Sequence, residues 1–149
     1  MGRNCRLITK NERATVDVGF ELGKTLNCGD VVVFYGDFGS GKTAFIRGLV
    51  LGFFGLGYRE PVTSPSFGGL NIYMNDRLCV YHYDLYRFPP HIVPVVFDDV
   101  ESDRGVVCIE WGEKLSCDFQ KTITVDISYC DVLNEREISI DDNRSLLRI

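Results

Sequence analysis

An α/β fold in a single domain is what this 149-residue sequence predicts, and three observations predict it. Val31-Val32-Val33-Phe34-Tyr35 is a continuous apolar run, the mark of a strand buried on both faces. A glycine-rich stretch follows, and then Ala44, Phe45, Ile46, Leu49, Val50 and Phe53 give a helix with a broad apolar face. Further short apolar runs around turn residues supply the remaining strands. With 45% hydrophobic and 25% charged residues, the chain has the composition of one ordinary compact domain.

In chain order, Thr9 and Glu12 form a capping-box pattern, and Ala14, Val18, Leu22 and Leu26 recur at helical spacing. A helix from about residue 10 to 27 follows, with Gly29 as its stop. Asn71–Met74 and Leu78–Asp84 read as two strands of a hairpin around Asn75-Asp76. Residues 89–104, rich in proline and then in acid, read as a loop with one short helix. Val106–Ile109 is a short buried strand, and the alternation around Ile123–Ile127 and Ile138–Ile140 predicts a half-exposed antiparallel pair. Cys79 and Cys108 sit inside apolar runs and read as small core residues.

Sixteen Lys and Arg against twenty-one Asp and Glu leave a formal charge of −5. That balance argues against a broad basic surface, so direct binding of DNA or RNA is not expected. Six cysteines without a C-x-x-C pair, and only two histidines, give no pattern for a structural metal. The N-terminus carries no signal-peptide pattern, and reduced thiols in a cytoplasm are expected. The longest apolar stretch, residues 49–58, is broken by three glycines, so no membrane span is expected.

Gly36-Asp37-Phe38-Gly39-Ser40-Gly41-Lys42-Thr43 matches G-x-x-x-x-G-K-[ST] in full. Glycines let the backbone curl so that successive N–H groups point at phosphate oxygens, and the following helix adds its positive N-terminus. A chance match is expected in about one of 200 chains of this composition, and the flanking strand and helix supply the context such a match would lack. The expected nucleotide-binding set is Gly36, Phe38, Gly39, Ser40, Gly41, Lys42, Thr43 and Ala44. Lys42 would neutralise the β and γ phosphates, and the Thr43 hydroxyl would be a Mg²⁺ ligand.

Such a loop needs an acid at the end of a second buried strand. Glu110, after Val106–Ile109, and Asp84, after Leu78–Tyr83, are both candidates. Val62-Thr63-Ser64-Pro65-Ser66-Phe67 suits a segment that senses the γ phosphate, although an ordinary Ser-Pro turn explains it nearly as well. His82 reads as a hydrogen-bonded structural residue, Arg87 as a transition-state stabiliser or a surface ion pair, and Trp111 as core packing in preference to a lid.

These motifs together resemble the bacterial TsaE (YjeE) family, the ATPase of tRNA threonylcarbamoyladenosine biosynthesis. The matching pieces are GDFGSGKTAFIRG at 36–48, VTSPSF at 62–67, YHYDLYRF at 81–88 and CIEWGEKL at 108–115, spread over about half the chain. The resemblance implies a single-domain P-loop NTPase fold over residues 1–149, with a mixed parallel and antiparallel sheet flanked by helices. It implies slow hydrolysis of ATP with Mg²⁺, and association with TsaB and TsaD, which transfer threonylcarbamoyl to adenosine 37 of tRNA. The tRNA would then be gripped only through that complex. By position, Lys42, Asp84 and Glu110 look catalytic, Thr43, Glu110 and Asp84 look like the Mg²⁺ site, and Asn11 and Thr15 lie where similar proteins approach the adenine. Gly112 stands where proline is common, Gly68-Gly69 where larger residues are usual, and Ser66 where Thr is frequent.

Two alternatives come from other classes. A small-molecule kinase needs an arginine-rich lid, for which residues 85–105 offer only Arg87 and Arg104. A nucleotide-gated interaction module would bind ATP with little turnover. A GTPase is disfavoured because neither N-K-x-D nor D-x-x-G follows the loop.

Overall fold

The computed structural model describes residues 3–65, 69–86, 93–115, 119 and 122–144. Ser66, Phe67, Gly68, Arg87 and Cys117 lie outside the described residues. The elements run β1 (Arg3–Thr9), α1 (Glu12–Gly23), β2 (Val31–Tyr35), α2 (Lys42–Phe54), β3 (Leu70–Met74), β4 (Cys79–Asp84), α3 (Val93–Glu101), β5 (Gly105–Glu110), β6 (Thr122–Tyr129) and β7 (Arg136–Asp142). A seven-stranded sheet in the order β1-β7-β6-β2-β5-β4-β3 joins them. Its centre is parallel (β6, β2, β5, β4), and antiparallel pairs flank it on both sides. The fold is therefore α/β with a mixed sheet, as expected. The hairpin, the antiparallel pair and the short helix within residues 89–104 also stand where the sequence puts them.

Alternate residues of β2 serve two cores. Val32 and Phe34 pack with Phe45, Leu49, Val125 and Ile138 on the α1/α2 side. Val31 and Val33 pack with Tyr81, Tyr83, Val107, Ile109 and Val96 on the α3 side. Cys79 and Cys108 are buried, and desolvation pushes the Cys108 thiol well above its ordinary range, as suits an inert core thiol.

The first helix departs from expectation at both ends. Thr9 does not cap it, because Thr9 closes β1 opposite Arg136 and bonds its hydroxyl to Thr15 Oγ1 at 2.8 Å. Asn11 is the cap, extended at φ −162°, and accepts from the Ala14 N–H at 2.8 Å. The helix stops at Gly23, and Gly29 (φ 93°) instead turns the chain into β2 and donates its N–H to the Gly105 carbonyl at 2.8 Å. β1 itself escaped the sequence reading: it is an edge strand whose Arg3, Asn4 and Arg6 break the apolar alternation.

α1 and α2 meet backbone to backbone. A Cβ added at Gly48 would lie 1.9 Å from the Val16 carbonyl oxygen, one at Gly52 2.2 Å from that of Phe20. Reciprocally, Gly19 and Gly23 face the Phe45 and Leu49 carbonyls at 2.1 and 2.2 Å. Glycine inside a helix costs about 1 kcal/mol against alanine, so four of them at one crossing reflect the close approach.

Candidate functional site

The loop between β2 and α2 curls through three residues with positive φ, Gly36 (150°), Gly39 (75°) and Gly41 (114°). Only glycine takes up this run of left-handed conformations without strain. Gly41 is the N-cap of α2, and the helix starts at Lys42 with the Phe45 N–H bonded to the Gly41 carbonyl at 3.0 Å. Within this turn the Ser40 hydroxyl is buried without a hydrogen-bond partner among the described residues. A glycine turn of this form, with an orphaned hydroxyl inside it and a lysine at its end, fits a polyphosphate anion.

β2, β5 and β4 run parallel, so their C-terminal ends open at one edge of the sheet. Glu110 ends β5 and Asp84 ends β4, and the two are direct register partners. Lys42 reaches this edge nearly buried, its Nζ 2.6 Å from the Gly36 carbonyl oxygen and 3.9 Å from Glu110 Oε1. A cavity of ≈ 530 Å³ brings Lys42, Thr43, Asp84, Glu110, Phe38 and Ser64 together. Glu12 and Arg47, paired at 3.2 Å, also line it and were missed from sequence, where a surface ion pair across 35 residues leaves no local signal. Asn11 and Thr15 line a smaller adjoining recess of ≈ 140 Å³ with Gly39, Ser40, Gly41 and Ala44.

His82 is fully buried and hydrogen-bonded, as expected of a structural histidine, but its partner is Glu110. Nε2 lies 2.6 Å from Glu110 Oε2, and Nδ1 lies 3.0 Å from the Tyr73 hydroxyl. Tyr73 in turn donates to the Thr63 carbonyl at 3.0 Å. The carboxylate at the sheet edge is thereby tied through two buried side chains to the segment that begins at Val62. Such a second layer fixes the orientation of a metal-binding or water-orienting acid.

Trp111 packs against the α3-side core, as expected, but also reaches the loop. It is half-buried, adopts a left-handed φ of 62°, and places its ring 4.2 Å above Lys42 Nζ. Phe38 and Tyr86 complete a triangle with it, each pair of ring centroids 5.0 Å apart. Trp111 therefore stands over the mouth of the loop and not only in the core. Gly112 beside it has no room for a side chain, since a Cβ would lie 2.3 Å from Val33 Cγ1 and 2.7 Å from Tyr35 Cζ. A proline there would meet the same two side chains.

Burial raises the Asp84 carboxyl above its ordinary value; the Tyr86 N–H opposes this, the charge of Glu110 adds to it, and Lys42 and His82 oppose it. A carboxyl whose folded pKa lies above its unfolded one stabilises the fold at low pH, and the contribution is lost as pH rises through the folded value. Asp84→Asn is therefore expected to stabilise the ligand-free protein at neutral pH by about 1 kcal/mol, the gain shrinking toward the acid range. Urea unfolding at neutral and mildly acid pH measures it, and equal stability of the two proteins at both values would contradict it.

Thr43, Asp84 and Glu110 have the hard-oxygen chemistry of a Mg²⁺ site. Among the described residues no group of three or more His, Cys, Asp or Glu side chains forms a cage. Magnesium held by one or two protein oxygens, water and phosphate needs none. No helix among the described residues is long and apolar enough to cross a membrane.

The sequence profile of the family described as Threonylcarbamoyl adenosine biosynthesis protein TsaE matches residues 9–138. The chain is 34% identical over 131 residues to the tRNA threonylcarbamoyladenosine biosynthesis protein TsaE of Nostoc, covering 85% of this chain and 79% of that protein. It is 34% identical to the protein of the same name from Treponema pallidum, covering 82% and 90%, and 30% identical to that from Aquifex aeolicus, covering 96% and 93%. The crystal structure of Bacillus subtilis YdiB superposes with a TM-score of 0.74 at 27% identity, over 96% of this chain and 88% of that one.

Proposed function

The chain belongs to the TsaE family, and on that footing we propose that it binds and slowly hydrolyses ATP in the threonylcarbamoylation of tRNA adenosine 37, acting with a TsaB–TsaD pair. The observation that carries this reading is the register pairing of Asp84 with Glu110 at the strand edge faced by Lys42 and Thr43. Amides of the 36–44 loop would take the phosphates, with Lys42 turning from the Gly36 carbonyl toward the β and γ oxygens. Thr43 and Glu110 would hold Mg²⁺, with Asp84 beside them, near the metal or the attacking water. Magnesium supplies charge neutralisation across the β and γ phosphates when bound. Glu110, held by His82, would keep its carboxylate aimed at that point, and Asp84 would orient water for in-line attack. Asn11 and Thr15, beside Ala44 in the adjoining recess, are the proposed adenine neighbours.

The acidic chain suits a division of labour in which a partner grips the tRNA. Residues 62–65, tied to Glu110 through Tyr73 and His82, would report the state of the nucleotide to that partner. Phosphate release from Mg·ATP, alone and with the matching TsaB and TsaD proteins, tests the proposal. Activity that is low alone and rises several-fold with partners is the expected result. Absence of ATP binding in both settings would sink it, and phosphate appearing on an acceptor would favour a kinase instead.

A further inference from the structure

β6 outruns its parallel neighbour. Tyr35, the last residue of β2, pairs with Asp126, and β6 continues to Tyr129. The surplus passes beneath the glycine loop, where a Cβ on Gly36 would lie 2.6 Å from the Ile127 carbonyl oxygen. Across the turn at 130–135, Tyr129 pairs with Arg136, the first residue of β7. Both side chains then reach back to the loop. The Tyr129 hydroxyl donates to the Phe38 carbonyl, Arg136 Nε donates to the Ser40 carbonyl at 2.9 Å, and an Arg136 terminal nitrogen reaches the Gly39 carbonyl at 3.4 Å. The guanidinium lies 4.7 Å from the centroid of the Tyr129 ring.

We propose that Arg136, with Tyr129, is the positioning residue of the phosphate cradle, holding three successive carbonyls outward so that the amides of Gly39 and Gly41 face the anion while that of Ser40 donates to the Asp37 carbonyl at 3.1 Å within the turn. In a planar trans peptide the C=O and the following N–H point in opposite directions, so fixing one aims the other. A loop already held this way loses less conformational freedom when phosphate arrives. The rigid guanidinium fork spans two carbonyls, which the single ammonium of lysine does not. Gly39 fits the arrangement: it sits at φ 75°, and a Cβ there would lie 2.9 Å from the Tyr129 hydroxyl oxygen.

This inference rests on the reading that the loop binds the phosphates of a nucleotide. Its test compares wild type, Arg136→Ala, Arg136→Lys and Tyr129→Phe by calorimetry with ADP, and by hydrogen exchange of the loop amides without ligand. Arg136→Ala is expected to weaken ADP about tenfold, with the lysine variant in between. Exchange at Ser40, whose N–H is bonded within the turn, is expected to rise in the ligand-free protein, while strand amides keep their protection. A merely structural role would instead lower the unfolding midpoint and raise exchange throughout β6 and β7. Unchanged ADP affinity with unchanged loop exchange would overturn the proposal. If the alanine variant fails to fold, Tyr129→Phe decides by the same exchange at the Ser40 amide. Should wild type not bind ADP, the nucleotide reading falls, and the ligand-free exchange still decides whether Arg136 holds the loop.

Discussion

Lys42→Ala is expected to lower nucleotide affinity and phosphate release on the order of 100-fold or more while leaving the chain folded. The lysine is 5% exposed, close to Glu110, and beneath the Trp111 ring. It is the cation that faces the paired acids Asp84 and Glu110 at the strand ends. Removing it withdraws the proposed phosphate ligand and leaves two carboxyl groups where a polyanion would enter, so attraction is lost and repulsion is unmasked together. The fold is expected to survive because Glu110 keeps His82 at 2.6 Å. Calorimetry with ADP and a thermal melt check both halves. A Lys42→Ala protein that binds and hydrolyses like wild type would remove the loop from the mechanism. Glu110→Gln, in contrast, is expected to keep binding and to lose turnover.

Gly48→Ala is expected to cost about 3 kcal/mol or more of stability. The added carbon would sit 1.9 Å from the Val16 carbonyl oxygen, 2.8 Å from its carbon and 2.9 Å from the Phe20 nitrogen. All three are backbone atoms of α1, which no rotamer change can move aside. Relief requires the helices to part, and the reciprocal contacts at Gly19, Gly23 and Gly52 would open with them. Because α2 begins at Lys42, displacement of the helix would also weaken nucleotide binding. Gly57→Ala is the control, with nothing within 4 Å of its added carbon and an expected change within about 0.5 kcal/mol. Urea unfolding of the two variants compares them, and equal midpoints would refute the close-packing account.

The parts of the fold that could be read from sequence are those written in local pattern. An apolar run buried on both faces identifies β2, and the glycine motif with its lysine identifies the turn and the start of α2. Acids directly after apolar strands mark Asp84 and Glu110. Gly19 with Gly23 and Gly48 with Gly52 repeat at a four-residue spacing, a small-residue helix face that was present in the sequence and went unread as packing. Thr9 misled because a capping-box pattern and the last residue of a strand can share the same letters, and pairing of β1 with β7 took precedence.

By itself, then, the sequence determined the phosphate-type loop, the strand and helix on either side of it, and the two acids, since each depends on backbone preferences within a few residues. Only the tertiary structure decided that Asp84 and Glu110 stand side by side, that Trp111 covers Lys42, and that His82 holds Glu110. The same holds for the reach of Arg136 from the start of β7 to Ser40 across 96 residues of chain. Contacts at that separation are set by strand order and by how far one strand outruns another, and no local spacing encodes either.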